Sequence, residues 1–375
     1  MIKDRDIICL SFSDWRRELV SNRYHILTRY AKNNRVFLFE RPIYLGDWHR
    51  WQFIFKPVRF EENIYMIAPL GIGIDNRVYD RYLSEAMAYF GIQKPIFWFY
   101  NFYLSRLIDF FQPTLSCYHC TEDYYNLTYI TSQKESIEPA RQLIKQEEGK
   151  LLKKVDIVFA VSRYLKEKHQ KINPQCYLTE NAVNYQSYQR AQKKSHKIFG
   201  QRLVLGYCGN LSSKVNFQLL YQLAKDLSEC YLVLAGPIVV KNTRLEKLKK
   251  LTNVKFMGNR PFSDLPFLIG EFDVCLIPYI QDQWFVRTAQ PLKLFEYLAS
   301  GKPIVSTRMD CLKKLQDVVY QSNSEAEFIA KTKIALKEKN PELRKKRILL
   351  AKNNTWDQRF AFINQKMEDF INNNE

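Results

Sequence analysis

The run QPLKLFEYLASGKPIV, residues 290–305, decides how this chain is read. Pro291 suits the first turn of a helix, and Gly301 suits the left-handed exit from it. The apolar PIVST that follows is a buried strand. Lys293 and Glu296 are three residues apart, so both project from one face of that helix near its start. A helix start carries unpaired N–H groups and the positive end of the dipole, which together favour a phosphate. A lysine there adds a point charge for a diphosphate. A carboxylate one turn on can accept both hydroxyls of a ribose, as acidic residues do in dinucleotide-binding folds. From spacing alone, a solvated Glu–Lys pair contributing about 0.2–0.5 kcal/mol accounts for the two residues equally well.

Upstream, strands and helices alternate. RLVLGYCG, CYLVLAGP, VKFMG and DVCLIPY read as strands, with helices at NFQLLYQLAKDL and from about Leu245 and Ser263. The N-terminal half repeats the pattern. DIICLSF, RVFLFER, PIFWFYN, TLSCYHC, VDIVFAV and CYLTEN are strands. NRYHILTRYAKN, FYLSRLIDFFQ and the stretch from Pro139 to Lys154 are helices. Tyr44 to Pro69 reads as irregular. The alternation predicts two consecutive doubly wound α/β domains, with parallel sheets and ligands at the carboxyl ends of the strands. The polar, basic stretch from about Tyr185 to Arg202 is the expected linker, which puts the domains at 1–188 and 200–354. The cleft between them is the expected site.

Composition narrows the partners. The 375 residues are 46% hydrophobic and 26% charged, enough for sizeable cores. Lys plus Arg outnumber Asp plus Glu by 57 to 39, a formal charge of +18. Such an excess suits phosphate-bearing substrates or an anionic membrane surface. A nucleic-acid reader would need a recognisable module, and none is present, so nucleic acid is not an expected partner. There is no run of about 18 apolar residues, and the apolar run in MIKDRDIICLSF is shorter than expected of a secretory signal. The eight cysteines are dispersed, as for reduced thiols in a cytoplasmic protein. Cys117 and Cys120 form a lone C-x-x-C inside a strand, which is poor evidence for metal or redox chemistry.

Taken together, these stretches resemble glycosyltransferase family 4 and its PLK-motif relatives, which have the GT-B architecture. The resemblance rests on LGYCGNL, LVLAGP, NVKFMGNRPFSDLP, FDVCLIPY and PLKLFEYLASGKPIVST in the second half. In the first half it rests on NRYHILTRYA, CYHCTEDYYNL, VDIVFAVSRYLKEK and ENAVNYQSY. NTWDQRF matches the start of the family's C-terminal helix, so residues 355–375 are expected to cross back and complete the first domain. The fold implied is α/β, with two Rossmann-like doubly wound domains facing each other across a cleft. The activity implied is transfer of a sugar from a nucleotide-diphosphate sugar to a glycan or lipid-linked acceptor in cell-surface polysaccharide synthesis. No cofactor beyond the donor substrate is implied.

Residue by residue, the resemblance gives Glu296 the ribose and Lys293 a phosphate, behind Pro291 and Leu292. Gly209 falls in the first glycine loop. Asn210 and Lys214 stand where many members place a basic pair for the diphosphate, with only Lys214 basic here. Met257, Gly258 and Arg260 lie on the strand end that holds the nucleobase. Two departures stand out: Thr288 occupies the place of a second glutamate common in retaining members, and Gln290 replaces an aspartate. The motif therefore assigns neither retention nor the sugar. On the acceptor side, His119, Glu122 and Asp123 follow a strand and are candidates for the base or for acceptor contacts; each also reads as a helix cap or satisfied loop group. Ser13, Asp14 and Trp15 follow the first strand and, with Thr288 and Gln290, are expected to line the cleft; Arg23 is a further candidate there. The only Asp-x-Asp, at Asp4 and Asp6, is misplaced for a nucleotide–metal clamp, so no metal is expected at the donor. Two other classes stay open: a sugar-nucleotide epimerase, and an inactive binding protein of the same architecture. The aromatic-rich 97–111 region and the net charge suit peripheral binding to the inner face of a membrane.

Overall fold

The computed structural model describes residues 1–11, 21–40, 58–68, 77–126, 137–192 and 198–374. The chain divides into two units, each built on its own sheet. The first contains β1 (Asp6–Leu10), β2 (Arg35–Phe39), β3 (Val58–Glu61), β4 (Ile64–Ile67), β5 (Ile96–Phe99), β6 (Leu115–Cys120), β7 (Ile157–Ala160) and β8 (Cys176–Leu178). Their order is β3-β4-β2-β1-β5-β6-β7-β8. All neighbours pair in parallel except β3 with β4, which form an antiparallel hairpin at one edge. That hairpin lies in the stretch read from sequence as irregular. The inner strands IICL, VFLF, IFWF and IVFA are buried throughout, which is what helices on both faces of a parallel sheet require.

The second sheet contains β9 (Val204–Cys208), β10 (Tyr231–Ala235), β11 (Val254–Gly258), β12 (Val274–Ile277), β13 (Ile304–Thr307) and β14 (Tyr320–Ser322). Its order, β11-β10-β9-β12-β13-β14, is third–second–first–fourth–fifth–sixth, the doubly wound arrangement of nucleotide-binding sheets. The winding reverses between β9 and β12, and the crevice beyond the carboxyl ends of those two strands is where such sheets hold ligands. β14 adds a strand beyond PIVST.

The division between units falls at Glu180/Asn181, earlier than the 188/200 boundary expected from composition. The reason is local. Tyr185–Gln192 is a helix whose Tyr188 is 1% exposed and packs in the core of the second unit, so half of the expected linker is folded structure. At the other end Trp356–Asn372 is one continuous helix, and its residues from Arg359 onward group with the first unit. There Asn364 Oδ1 accepts from Ile2 N at 3.1 Å, and Phe360 meets Tyr30 edge-on at 4.7 Å.

One buried ion pair anchors the second unit. Arg347, fully buried, donates to both oxygens of Glu338 at 2.6 and 2.7 Å and to the Val318 carbonyl at 2.8 Å. Removing one partner of such a pair strands a charge in the interior. Arg347→Ala is expected to destabilise the second unit by about 3–5 kcal/mol, read as a lower urea midpoint for its unfolding.

Candidate active site

The helix Leu292–Ser300 begins at Pro291, whose φ of −67° suits the entry, and ends on Gly301 at φ +71°. Leu294, Phe295, Tyr297 and Leu298 bury one side of it in the core. Its first turn reaches the switch point of the sheet. Lys293 is 7% exposed, and its Nζ donates to the Tyr279 hydroxyl at 2.8 Å. The same ammonium lies 4.1 Å from the ring centre of Tyr207 and 4.8 Å from that of Tyr279. Tyr207 belongs to β9 and Tyr279 follows β12, so a single positive charge sits where the two strand ends diverge.

Gly209 shows how closely the parts fit. Its φ is +137°, and a side chain there would bring a Cβ within 2.7 Å of Lys293 Nζ. Its N–H donates to Ala235 O at 2.8 Å. Gly236, at φ +136°, lies so near that an added Cβ would be 2.1 Å from Gly209 O. The two glycines keep the end of β9 open to a lysine and whatever it binds.

Burial pushes Lys293 down to about 7, with nearby Lys214 adding to the effect and Glu296 opposing it. Burial pushes Glu296 up to about 7, opposed by Lys293 and by the Tyr188 hydroxyl. Each charge therefore makes the other tolerable. Buried polar atoms collect around this helix start. Asn181 Nδ2 donates to Gln290 O at 2.6 Å, while Asn181 Oδ1 and Gln290 Oε1 lack a hydrogen-bond partner among the described residues and the Tyr188 hydroxyl meets Glu296 without a well-formed bond.

The remaining donor-side candidates are less committed. Lys214 is half-buried, its Nζ 5.5 Å from the Phe285 ring centre. Asn210 is exposed and accepts from the Tyr207 hydroxyl through its backbone carbonyl at 2.9 Å. Gly258 ends β11 at φ +63°, and its carbonyl accepts from Gly236 N at 2.8 Å. Arg260 is exposed and folds back, Nε to Met257 O at 3.1 Å. Leu292 is half-buried in the first turn. Thr288 is buried and spends its hydroxyl on Trp284 O at 3.0 Å, one turn back in its own helix. Tyr188, Tyr207 and Tyr279 were not singled out from the sequence, because tyrosines in apolar runs look like core.

In the first unit, His119 lies inside β6 rather than beyond it and is 1% exposed. It stacks on Tyr100 with 5.2 Å between centres, and its Nδ1 is 3.2 Å from the Tyr100 hydroxyl. Burial lowers it to about 3, which leaves a neutral and feeble base. Asp123 is 2% exposed and paired with Lys168 Nζ at 2.8 Å, while Glu122 is half-buried. Arg23, 3% exposed, donates to Ser11 Oγ at 2.7 Å and lies 3.6 Å from Glu40. Ser13, Asp14 and Trp15 lie outside the described residues. Cys117 and Cys120, three apart on a strand, face opposite sides of the sheet. Cys117 contacts Phe97 O, and Cys120 lies 3.3 Å from His169 Nε2. Glu148 joins that second group through Tyr118 at 2.9 Å, and Lys168 is 3.8 Å from it.

This geometry is that of a GT-B fold, and solved structures share it along the whole chain. Sucrose-phosphate synthase from Thermosynechococcus elongatus superposes with a TM-score of 0.72 at 14% identity, covering 97% of this chain and 98% of that one. Anabaena HepE in complex with UDP-glucose superposes with a TM-score of 0.73 at 12% identity, covering 97% and 99%. Residues 202–338, which hold the Lys293–Glu296 helix, match the family "Glycosyl transferases group 1". The glycosyltransferase TuaH of Bacillus subtilis (strain 168), whose name assigns it to teichuronic acid biosynthesis, is 28% identical over 184 residues. That match takes in 47% of this chain and 46% of TuaH, so it spans about half the length of each.

The paired shifts predict a pH signature for any ligand carrying a diphosphate and a vicinal diol. Lys293 loses its charge as pH rises through about 7, and Glu296 loses its charge as pH falls through about 7. Affinity should therefore follow a bell centred near neutrality. Calorimetric titrations across pH should show Lys293→Met losing the alkaline limb and Glu296→Gln losing the acid limb.

Proposed function

We propose that this protein is a glycosyltransferase that takes its sugar from a nucleotide-diphosphate donor, held by the second unit, and passes it to a glycan or lipid-linked acceptor. One observation carries the reading: a buried ammonium and a half-buried carboxylate, one helical turn apart, stand at the switch point of a doubly wound sheet. That spacing suits a diphosphate on Lys293 and a pentose on Glu296. The UDP-glucose in the HepE structure favours a uridine donor. The name of TuaH favours a cell-surface polysaccharide as the destination.

The chemistry follows from the charges. Breaking the bond to the anomeric carbon leaves negative charge on the diphosphate, which fixed cations and dipoles stabilise without reorganisation. Lys293, Lys214 and the N–H groups of the helix start supply that field, so the reaction runs without a divalent metal. Glu122 is the proposed base for the acceptor hydroxyl, with Asp123 as its acceptor-side neighbour; His119, neutral and enclosed, has no proton-transfer role in this scheme.

UDP should raise the melting temperature of the wild-type protein, since a ligand bound only by the native state stabilises it. Glu296→Ala and Lys293→Ala should each abolish most of that shift, and EDTA should leave it intact. An unchanged shift in both variants would dispose of the donor site.

The same reading places the enzyme at an anionic membrane surface, where a lipid-linked acceptor would be met. Among the described residues no helix is long and apolar enough to cross a membrane, so attachment would be peripheral. The net charge of +18, with Tyr89 and Phe110 largely exposed, supports it. In flotation assays the protein should rise with anionic vesicles and stay down with neutral ones. Equal, negligible binding to both would remove the membrane from the account.

A further inference from the structure

The Tyr188 hydroxyl has no packing role. The ring of Tyr188 belongs to the core of the second unit, and a phenylalanine would fill its place as well. The hydroxyl is instead enclosed at 1% exposure without a well-formed hydrogen bond, which is a destabilising arrangement for a polar group. Its helix, Tyr185–Gln192, packs against the Leu292–Ser300 helix, and the hydroxyl neighbours the Glu296 carboxylate. Lys293, the other group that favours that carboxylate's charge, is held on Tyr279 and flanked by two rings. A carboxylate has about four lone-pair positions, and a vicinal diol occupies two of them. A third donor would fix the plane in which those two are presented.

We propose that Tyr188 is a positioning residue for the donor: its hydroxyl closes onto Glu296 when a pentose arrives and holds the carboxylate for both ribose hydroxyls. This rests on the assignment of Glu296 to the donor's ribose. In the structure the hydroxyl lies beside Glu296 without a hydrogen bond of good geometry to it. Ligand binding excludes water from Glu296, and a hydrogen bond to a charged, dry acceptor is stronger than one between neutral groups. Tyr188 thus adds to the affinity for a diol-bearing nucleotide and adds nothing for one that lacks the diol.

Two probes and two variants test this by calorimetry at pH 7: UDP and 2′,3′-dideoxyuridine diphosphate, with Tyr188→Phe and Glu296→Gln. Wild type should prefer UDP to the dideoxy compound. Tyr188→Phe should bind UDP about tenfold more weakly, bind the dideoxy compound as wild type does, and melt no lower than wild type, since it loses an unpaired buried group. In the Glu296→Gln background the Tyr188→Phe change should have no further effect. If UDP binds Tyr188→Phe as tightly as wild type, Tyr188 has no such role, while wild-type preference for the diol leaves Glu296 standing. Equal weakening for both ligands, or a lowered melting temperature accounting for the loss, makes Tyr188 a packing residue only. Failure of wild type to bind UDP, ADP, GDP or TDP overturns the donor-site reading and this inference with it.

Discussion

The proposed donor site turns on holding a buried ammonium and a half-buried carboxylate a helical turn apart. Neither would be tolerable alone, because transferring an isolated charge into a poorly solvated position costs several kcal/mol. Lys293 is held by the Tyr279 hydroxyl and the faces of two aromatic rings, and Glu296 lies within its field. The rings supply attraction without a formal negative charge. The lysine is therefore not neutralised by a tight carboxylate partner, which suits the anion-binding role proposed for it.

The rest of the second unit arranges this pair. Strand order brings the ends of β9 and β12 apart at one point, and Tyr207 and Tyr279 stand on those two ends. Gly209 and Gly236 remove the side chains that would fill the gap. Pro291 and Gly301 fix where the helix starts and stops, so its first turn meets the strand ends. In the first unit the polar residues near the end of β6 are bound up with one another: Asp123 with Lys168, and Glu148 with Tyr118. That leaves its chemistry dependent on fewer groups than the run CYHCTEDYY suggests.

How much of this could be read in advance depended on whether the cause was local. Lys293 and Glu296 were legible because a proline, a glycine and a spacing of three define a helix face within a dozen residues. The two doubly wound units were legible from apolar runs alternating with helical ones. The tyrosines around Lys293 were not, because Tyr207 and Tyr279 come from separate segments that only the strand order brings together. The enclosure of His119 was not legible because its run, LSCYHC, is buried along its whole length and shows no exposed face. The helix at Tyr185–Gln192 was hidden by polar residues around its one deeply buried tyrosine, which moved the unit boundary. Strands of three or four residues, such as β3, β4 and β14, carry too short a pattern to stand out from loops.

A crystal structure of the protein grown with UDP would test the central claim most directly. The account predicts a diphosphate oxygen within about 3 Å of Lys293 Nζ and both ribose hydroxyls within about 3 Å of the two oxygens of Glu296. A nucleotide bound away from the Leu292–Ser300 helix, or one whose ribose turns from Glu296 toward solvent, would contradict it.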